Sequence, residues 1–363
     1  MAINLATKYA PRIAEAFSVQ SVVDGKTNKD YEFTGVRSIH IYTPTTQGLN
    51  DYLRTGTSRY GTPTEMQDTD QELVMTRDRS FSITIDKGNL QEQMDNKRAG
   101  LMLKAEMNEQ VIPEMDRYAL TQFTDLAGKI IPIAAPDASN IVGALSTGMT
   151  DISNKKVPAD NRTIWIGWTS FGFLRQSSQF LGVDSLGEKA LTKGTLGLFM
   201  GAEVVPVPDD YLYKAANQCH FLIAHKNAIM QPKKIQDYFV KQDPPGINGA
   251  LLEGRFLYDA FVIGTKADGI YAAIATDGQQ AAPSASYTAG TKSMTLTSAG
   301  ASAVKYTTDG TDPRYSSSAK SITNGGTVDL SAFAGTTATV KSVAQSAALY
   351  TSNVTTTAQA VAA

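Results

Sequence analysis

Apolar and polar positions change period several times along the chain. Phe81, Ile83 and Ile85 alternate with Ser82, Thr84 and Asp86, which predicts a half-buried strand. After the turn Lys87-Gly88-Asn89 the pattern turns helical. Residues 90–127 are rich in Glu, Gln, Lys, Met, Leu and Ala, with one strong breaker, Pro113. Leu103, Met107, Val111, Met115 and Ala119 recur every four residues, so one stripe can bury along the helix. A single helix of this length would span roughly 55 Å, a spine rather than an average helix. A bend is expected at Pro113, whose ring crowds the carbonyl of Glu109.

Ahead of this unit, residues 36–42 alternate as a strand through Ile39 and Ile41, with His40 facing solvent. Residues 43–71 follow, rich in Thr, Gly and Asp, without apolar periodicity. A connection this long is uncommon in a compact domain and is usually functional. Its flanking strands are expected to pair as a long hairpin, with the excursion contacting a neighbouring subunit. Residues 1–23 read as an arm, with a short helix that Pro11 can begin. Beyond the spine, strands are expected at 163–168, 202–207 and 221–224, and helices at 169–180 and 233–239. Strands at 256–263 and 269–274 flank a turn at 266–269 and close the body as a hairpin.

Composition adds a boundary. From Ala281 onward the chain has no Glu, Trp, His or Cys, and only eight charged residues. Residues 279–284 read as a linker. Strand-like segments at 293–297, 303–308, 326–330 and 337–344, with turn signals at Asp309-Gly310 and Asp312-Pro313, predict a small β-sandwich rather than disorder. Cutting after Gly278 is expected to leave assembly intact. The whole chain has 363 residues, enough for two or three domains. Its formal net charge of −2 argues against a dedicated nucleic-acid binder. The single cysteine, Cys219, excludes disulfides within the chain. Neither a signal-peptide core nor an apolar run of about 18 residues is present, so no membrane partner is expected.

Candidate chemistry is sparse. Cys219, His220 and His225 lack the ligand number of a metal site; a core cysteine and a strand-edge histidine are expected. Residues 182–189 resemble a phosphate loop only faintly, because Lys189 follows Glu188 and Ala190 stands where Ser or Thr is needed. Asp209 and Asp210 are expected to cap residues 211–216, and Asp309 and Asp312 to form turns. Trp165, Trp168, Phe171 and Phe173 are expected in the core. No nucleophile-base pair stands out, so no enzyme is expected, and no catalytic residue, metal or cofactor is assigned.

Five segments carry a resemblance: ELVMTRDRSFSITIDKGNLQEQ (72–93), AEMNEQVIPEMDRYALTQF (105–123), GAEVVPVPDDYL (201–212), HFLIAHKNAIMQPKKI (220–235) and RFLYDAFVIGTKADGIYAA (255–273). In this order they resemble the major capsid proteins of tailed bacteriophages, the Hong Kong 97 (HK97)-type fold. The fourth looks like a core strand and helix, the fifth like a closing hairpin. The resemblance implies an α+β body: an N-arm (1–35), an extended loop hairpin (36–88), a peripheral domain with the spine helix (89–130 and 253–277) and a mixed α/β axial domain (131–252). VKYTTDGTDP (304–313) is similar to the immunoglobulin-like module at the end of some chitobiases and hexosaminidases, implying an all-β surface domain over 283–363. The function implied is self-assembly into hexamers and pentamers of an icosahedral or prolate head around double-stranded DNA, contacted nonspecifically. The expected location is the virion, after assembly in the host cytoplasm. Implied partners are other copies, a portal, glycans or a cell surface through the module, and a separate scaffolding protein, since the chain starts almost at the arm. Residues 43–74 hold no Lys, so the covalent cross-link of some relatives is not expected. A secreted or surface glycan-binding protein is the alternative, disfavoured by the missing signal peptide.

Overall fold

Six consecutive buried residues, Arg162–Gly167, require a strand covered on both faces. In the computed structural model this strand, β5, sits inside a seven-stranded sheet. The structure describes residues 21–31, 33, 38–44, 46, 48–63, 65, 66, 68–87, 99–177 and 198–362. The sheet runs β4 (Lys129–Ile133), β14 (Ile270–Ala275), β9 (Asn217–His225), β5, β7 (Ala202–Val207) and β6 (Leu198–Phe199), with β8 (Tyr213–Lys214) also on β9. It is mixed: β4 and β14 are parallel, as are β5 and β7, while β9 is antiparallel to both its neighbours. Alternate side chains feed two cores. Ile164, Ile166, Phe221 and Ile223 meet helices α3 (Ile141–Asn154) and α4 (Trp168–Gln176). Trp165, Leu222, Ala224 and Ala272 meet Ala119, Leu120 and Phe123 on the opposite side.

Those last three residues belong to the spine. Helix α1 (Ala99–Glu106) continues through a π turn (Met107–Val111) into α2 (Ile112–Asp125). Twenty-seven residues give roughly 40 Å of rod; the expected start at residue 90 lies outside the described residues. Pro113 does not break the helix. The ladder widens just before it, with the Ile112 N–H bonding Met107 O. An i→i−5 turn accommodates the ring and the missing donor that would otherwise interrupt the rod.

A second sheet, β11 (Lys233–Gln242), β12 (Gly249–Tyr258) and β3 (Arg77–Asp86), packs Phe81, Phe256 and Tyr258 on Met107, Val111 and Met115. Four expectations are corrected here. Residues 233–239 are a strand, not a helix, because β12 takes a full-length antiparallel partner there. The strand ending at Ile85 does not pair with residues 36–42. It joins β12, and β1 (Ser38–Pro44) pairs instead with β2 (Asp68–Val74). The closing segment is not a hairpin: β12 and β14 lie in different sheets, joined by β13 (Phe261–Val262) and a 3-10 turn. Residues 279–284 are not a free linker, because Gln280 is buried and bonded to Ser298 Oγ at 2.9 Å.

The C-terminal strands form two facing sheets. β15 (Ser284–Thr288), β16 (Ser293–Thr297) and β19 (Thr327–Asp329) make one. β18 (Lys320–Thr323), β17 (Ala303–Thr307), β20 (Thr337–Gln345) and β21 (Thr355–Ala360) make the other. Met294, Leu296, Val304, Val328 and Val340 fill the space between them. Asp309-Gly310 lies in the long β17–β18 connection rather than in a two-residue hairpin.

Candidate functional site

Between β1 and β2 the described residues 46, 48–63, 65 and 66 are exposed, apart from half-buried Gly61. One face of the pair is apolar: Ile41 and Leu73 are buried with Phe33, Met75, Met230 and Leu257. The other is solvated, and there His40 Nδ1 meets the Asp70 carboxylate at 3.0 Å. At the outer end the chain closes on itself. Leu53 N donates to Arg59 O at 3.0 Å, and the Tyr52 and Tyr60 rings meet edge-on at 5.2 Å. Leu49, Tyr52, Leu53, Tyr60 and Met66 all remain exposed, Leu49 completely. Burying one such side chain against a partner contributes about 1.5–3 kcal/mol. Exposed apolar groups gathered in one segment are a feature of interaction sites.

The root of the excursion is fixed to the body by polar side chains. Gln71 Nε2 donates to Val262 O at 2.9 Å, and Gln71 Oε1 accepts from Gly264 N at 2.8 Å. The carboxylate of buried Asp259 gathers three elements. It accepts from Thr76 N at 2.7 Å and Thr76 Oγ1 at 3.0 Å, beside the β2–β3 corner. It also accepts from the Tyr118 hydroxyl on α2 at 2.8 Å and from Ala260 N at 2.8 Å. Burial and the neighbouring Asp259 push the Tyr118 hydroxyl pKa up, so it stays a proton donor. Asp116 holds the N-terminal segment to the same helix, accepting from Ser21 Oγ at 2.9 Å and Val22 N at 2.7 Å. The rest of the expected arm, residues 1–20, lies outside the described residues.

Two further apolar surfaces are open. β11 is an edge strand among the described residues, with Tyr238, Phe239 and Val240 exposed in succession. Trp168 is 53 % exposed and edge-on to Phe171. This corrects the expectation that Trp168 is core: it starts α4, one residue past the buried strand. Phe173 is only half-buried.

No family model and no curated protein matches the sequence. Solved structures do. The chain resembles one from Mycobacterium phage Che8 at 18 % identity and TM-score 0.57, covering 75 % of this chain and 98 % of that one. It resembles a chain of the cyanophage P-SCSP1u capsid at 14 % identity and TM-score 0.62, covering 75 % and 93 %. A chain of the bacteriophage PhiM1 mature capsid matches at 12 % identity and TM-score 0.59, covering 76 % and 93 %. The fold is that of phage capsid chains.

The residues singled out for chemistry are scattered across this capsid-type fold. Cys219 is fully buried and donates to Phe221 O at 3.3 Å; burial pushes its thiol up to about 12, which leaves it unreactive. His220 is not at a strand edge. It lies in central strand β9, where the pairing with β14 shifts register between Phe221 and Cys219. His220 and His225 are both buried, and burial lowers both pKa values. Asp209 does not cap its own turn. It reaches across to α4, accepting from Thr169 N at 3.3 Å and Thr169 Oγ1 at 2.5 Å. Asp309 and Asp312 bond their own turns, to Thr311 N and Arg314 N, each at 2.9 Å. Residues 182–189 lie outside the described residues. Among the described residues no group of three or more His, Cys, Asp or Glu is placed to hold a metal, and no helix is long and apolar enough to cross a membrane. The anchors Gln71, Asp116 and Asp259 escape sequence reading because their partners lie more than ninety positions away.

Proposed function

We propose that the chain is the major capsid protein of a tailed bacteriophage, built on the HK97-type fold. One observation carries this: the chain shares its fold with chains of two phage capsids over 93 % of the length of each, and with a chain of Mycobacterium phage Che8 over 98 %. The exposed apolar excursion supports it, since a shell subunit must hold other copies through many modest contacts. In this reading residues 1–35 are the N-arm and 36–88 the extended loop. Residues 89–130 with 253–277 form the peripheral domain, and 131–252 the axial domain. Copies associate as hexamers and pentamers into a closed head around double-stranded DNA, with a scaffolding protein and portal as partners and the virion as location. No catalytic role is assigned.

The share of the chain that those structures cover, about three quarters, equals about 272 residues. The chain ahead of residue 279 is of similar length, 278 residues. We assign the remaining sandwich to an immunoglobulin-like surface module, with glycans or a cell surface as its ligand class. The test is the size and shape of the purified chain, by light scattering and electron microscopy. Rings of five or six copies, or closed shells, agree with the proposal; a protein that stays monomeric with and without its scaffolding partner contradicts it.

A further inference from the structure

The C-terminal module has its own core, yet it is not merely tethered. Two of its segments enter the body at one place, the carboxyl end of the spine helix. Helix ends leave carbonyls without intrahelical donors. Here the module supplies them: the Tyr315 hydroxyl donates to Leu126 O at 2.6 Å, and Arg314 Nη1 to Ala127 O at 2.6 Å. Arg314 also places a cation at the negative end of the helix dipole. Its side chain is only 7 % exposed and is held by Asp312, at 2.8 Å. The second segment follows β20. Asp125, the last residue of α2, accepts from Thr351 N at 2.7 Å and Thr351 Oγ1 at 2.8 Å. It also accepts from Lys214 Nζ at 2.9 Å. Next to it Tyr350 is wholly buried among body residues, with its hydroxyl on Leu212 O at 3.1 Å. The connecting residues join the same contact, with Tyr350 N donating to Gly278 O at 2.8 Å and Gln280 N to Tyr350 O at 2.9 Å.

The body has a matching vacancy of one side chain. A Cβ at Gly264 would stand 2.5 Å from the Tyr315 Cβ and 2.8 Å from its Cγ. The φ of Gly264 is not in the left-handed region, so backbone freedom does not explain the glycine there; space for Tyr315 does. Gly264 also donates to Gln71 at the root of the excursion. Module, spine end and excursion root thus meet around one position.

We propose that the module is an integral clasp of the subunit: Arg314, Tyr315, Tyr350 and Thr351 close the carboxyl end of the spine helix, and body and module unfold as one cooperative unit. The clasp holds whether or not the chain builds shells. It replaces the expectation of a separable, linker-borne appendage.

The test uses the full-length chain and a nonspecific protease, because residues 267–291 hold no Lys or Arg. In the unmodified protein residues 276–284 resist cleavage, the protein melts in one transition, and the amides of Gln280, Tyr350 and Thr351 exchange only with global unfolding. In Gly264→Ala, cleavage at 276–284 rises by about tenfold or more while the body stays protected, as expected when a docked unit opens locally. Two results overturn the proposal. One is ready cleavage at 276–284, or a separate module transition, in the unmodified protein. The other is a Gly264→Ala variant that cleaves and melts as the parent does. Should that variant not fold, exchange at Gln280, Tyr350 and Thr351 in the unmodified chain decides alone.

Discussion

Asp259 joins the corner before β3 to the spine, and its carboxylate satisfies the Thr76 and Tyr118 donors together. Asp259→Ala strands those donors without the acceptor, and should cost about 3 kcal/mol or more. Chemical unfolding measures this; a loss below about 1 kcal/mol would remove Asp259 from its anchoring role. The histidines set an acid limit. Burial holds His220 and His225 below the ordinary range, and each Nε2 lacks a hydrogen-bond partner among the described residues. Below about pH 6.5 the unfolded chain therefore binds more protons than the folded one. Their contribution is full above that pH and falls as the pH drops through it toward the folded values. Asp116, whose pKa burial raises, works in the opposite sense, from the carboxylate range upward. The melting temperature should drop between pH 7 and 5.5, and a His220→Gln, His225→Gln double variant should flatten that slope. An unchanged slope in the double variant would assign the acid sensitivity elsewhere. Neither burial nor orphaned Nε2 was legible in sequence, since His220 follows a cysteine in a strand of unknown depth. The exposed place of His40 was legible, because it alternates with Ile39 and Ile41.

Element by element, legibility followed period and context. The spine's four-residue stripe identified Met115 and Ala119 as buried; Met107 and Val111 prove half-buried at the π turn. Met115→Asp should therefore give insoluble protein, because a buried unpaired charge costs several kcal/mol. Met107→Asp should be milder, and soluble protein with a lowered melting point is expected there. A soluble, normally melting Met115→Asp would show the stripe facing solvent. Residues 233–239 misled because Ile235 and Phe239 stand four apart, a helical spacing. The available contrary signal was Asp243-Pro244-Pro245-Gly246: Gly246 has φ +83°, and Asp243 N bonds Gly249 O at 2.7 Å, which turns the chain into a hairpin. The excursion was legible as lacking a core of its own. Replacing residues 48–66 by a short Gly-Ser turn should leave the melting temperature within a few degrees, since β1 and β2 keep their buried face, and should abolish assembly. Normal particles from that variant would contradict an interaction role for the excursion.

At the scale of the whole molecule, composition located the C-terminal sandwich but not its docking. The break at Ala281 and four of the strands were visible. Docking rests on contacts between residues 130 to 230 positions apart, such as Thr351 with Asp125, Tyr315 with Leu126 and Asn217 with Ala348. No local pattern encodes these. They bear on the cut after Gly278, which was expected to leave assembly intact: ending the chain there should lower body stability or solubility, because it removes Tyr350 from the body's core and exposes the end of α2. A truncated body with the parent's melting temperature would contradict this. Shell building is the role proposed for this fold. Electron cryomicroscopy of the full-length chain, expressed alone and together with the scaffolding and portal proteins of the proposed head, tests this role. Closed shells of five- and six-fold rings are expected, with the excursion of each copy lying on a neighbour and the C-terminal module at one fixed position on every subunit. Isolated monomers under both conditions would contradict it.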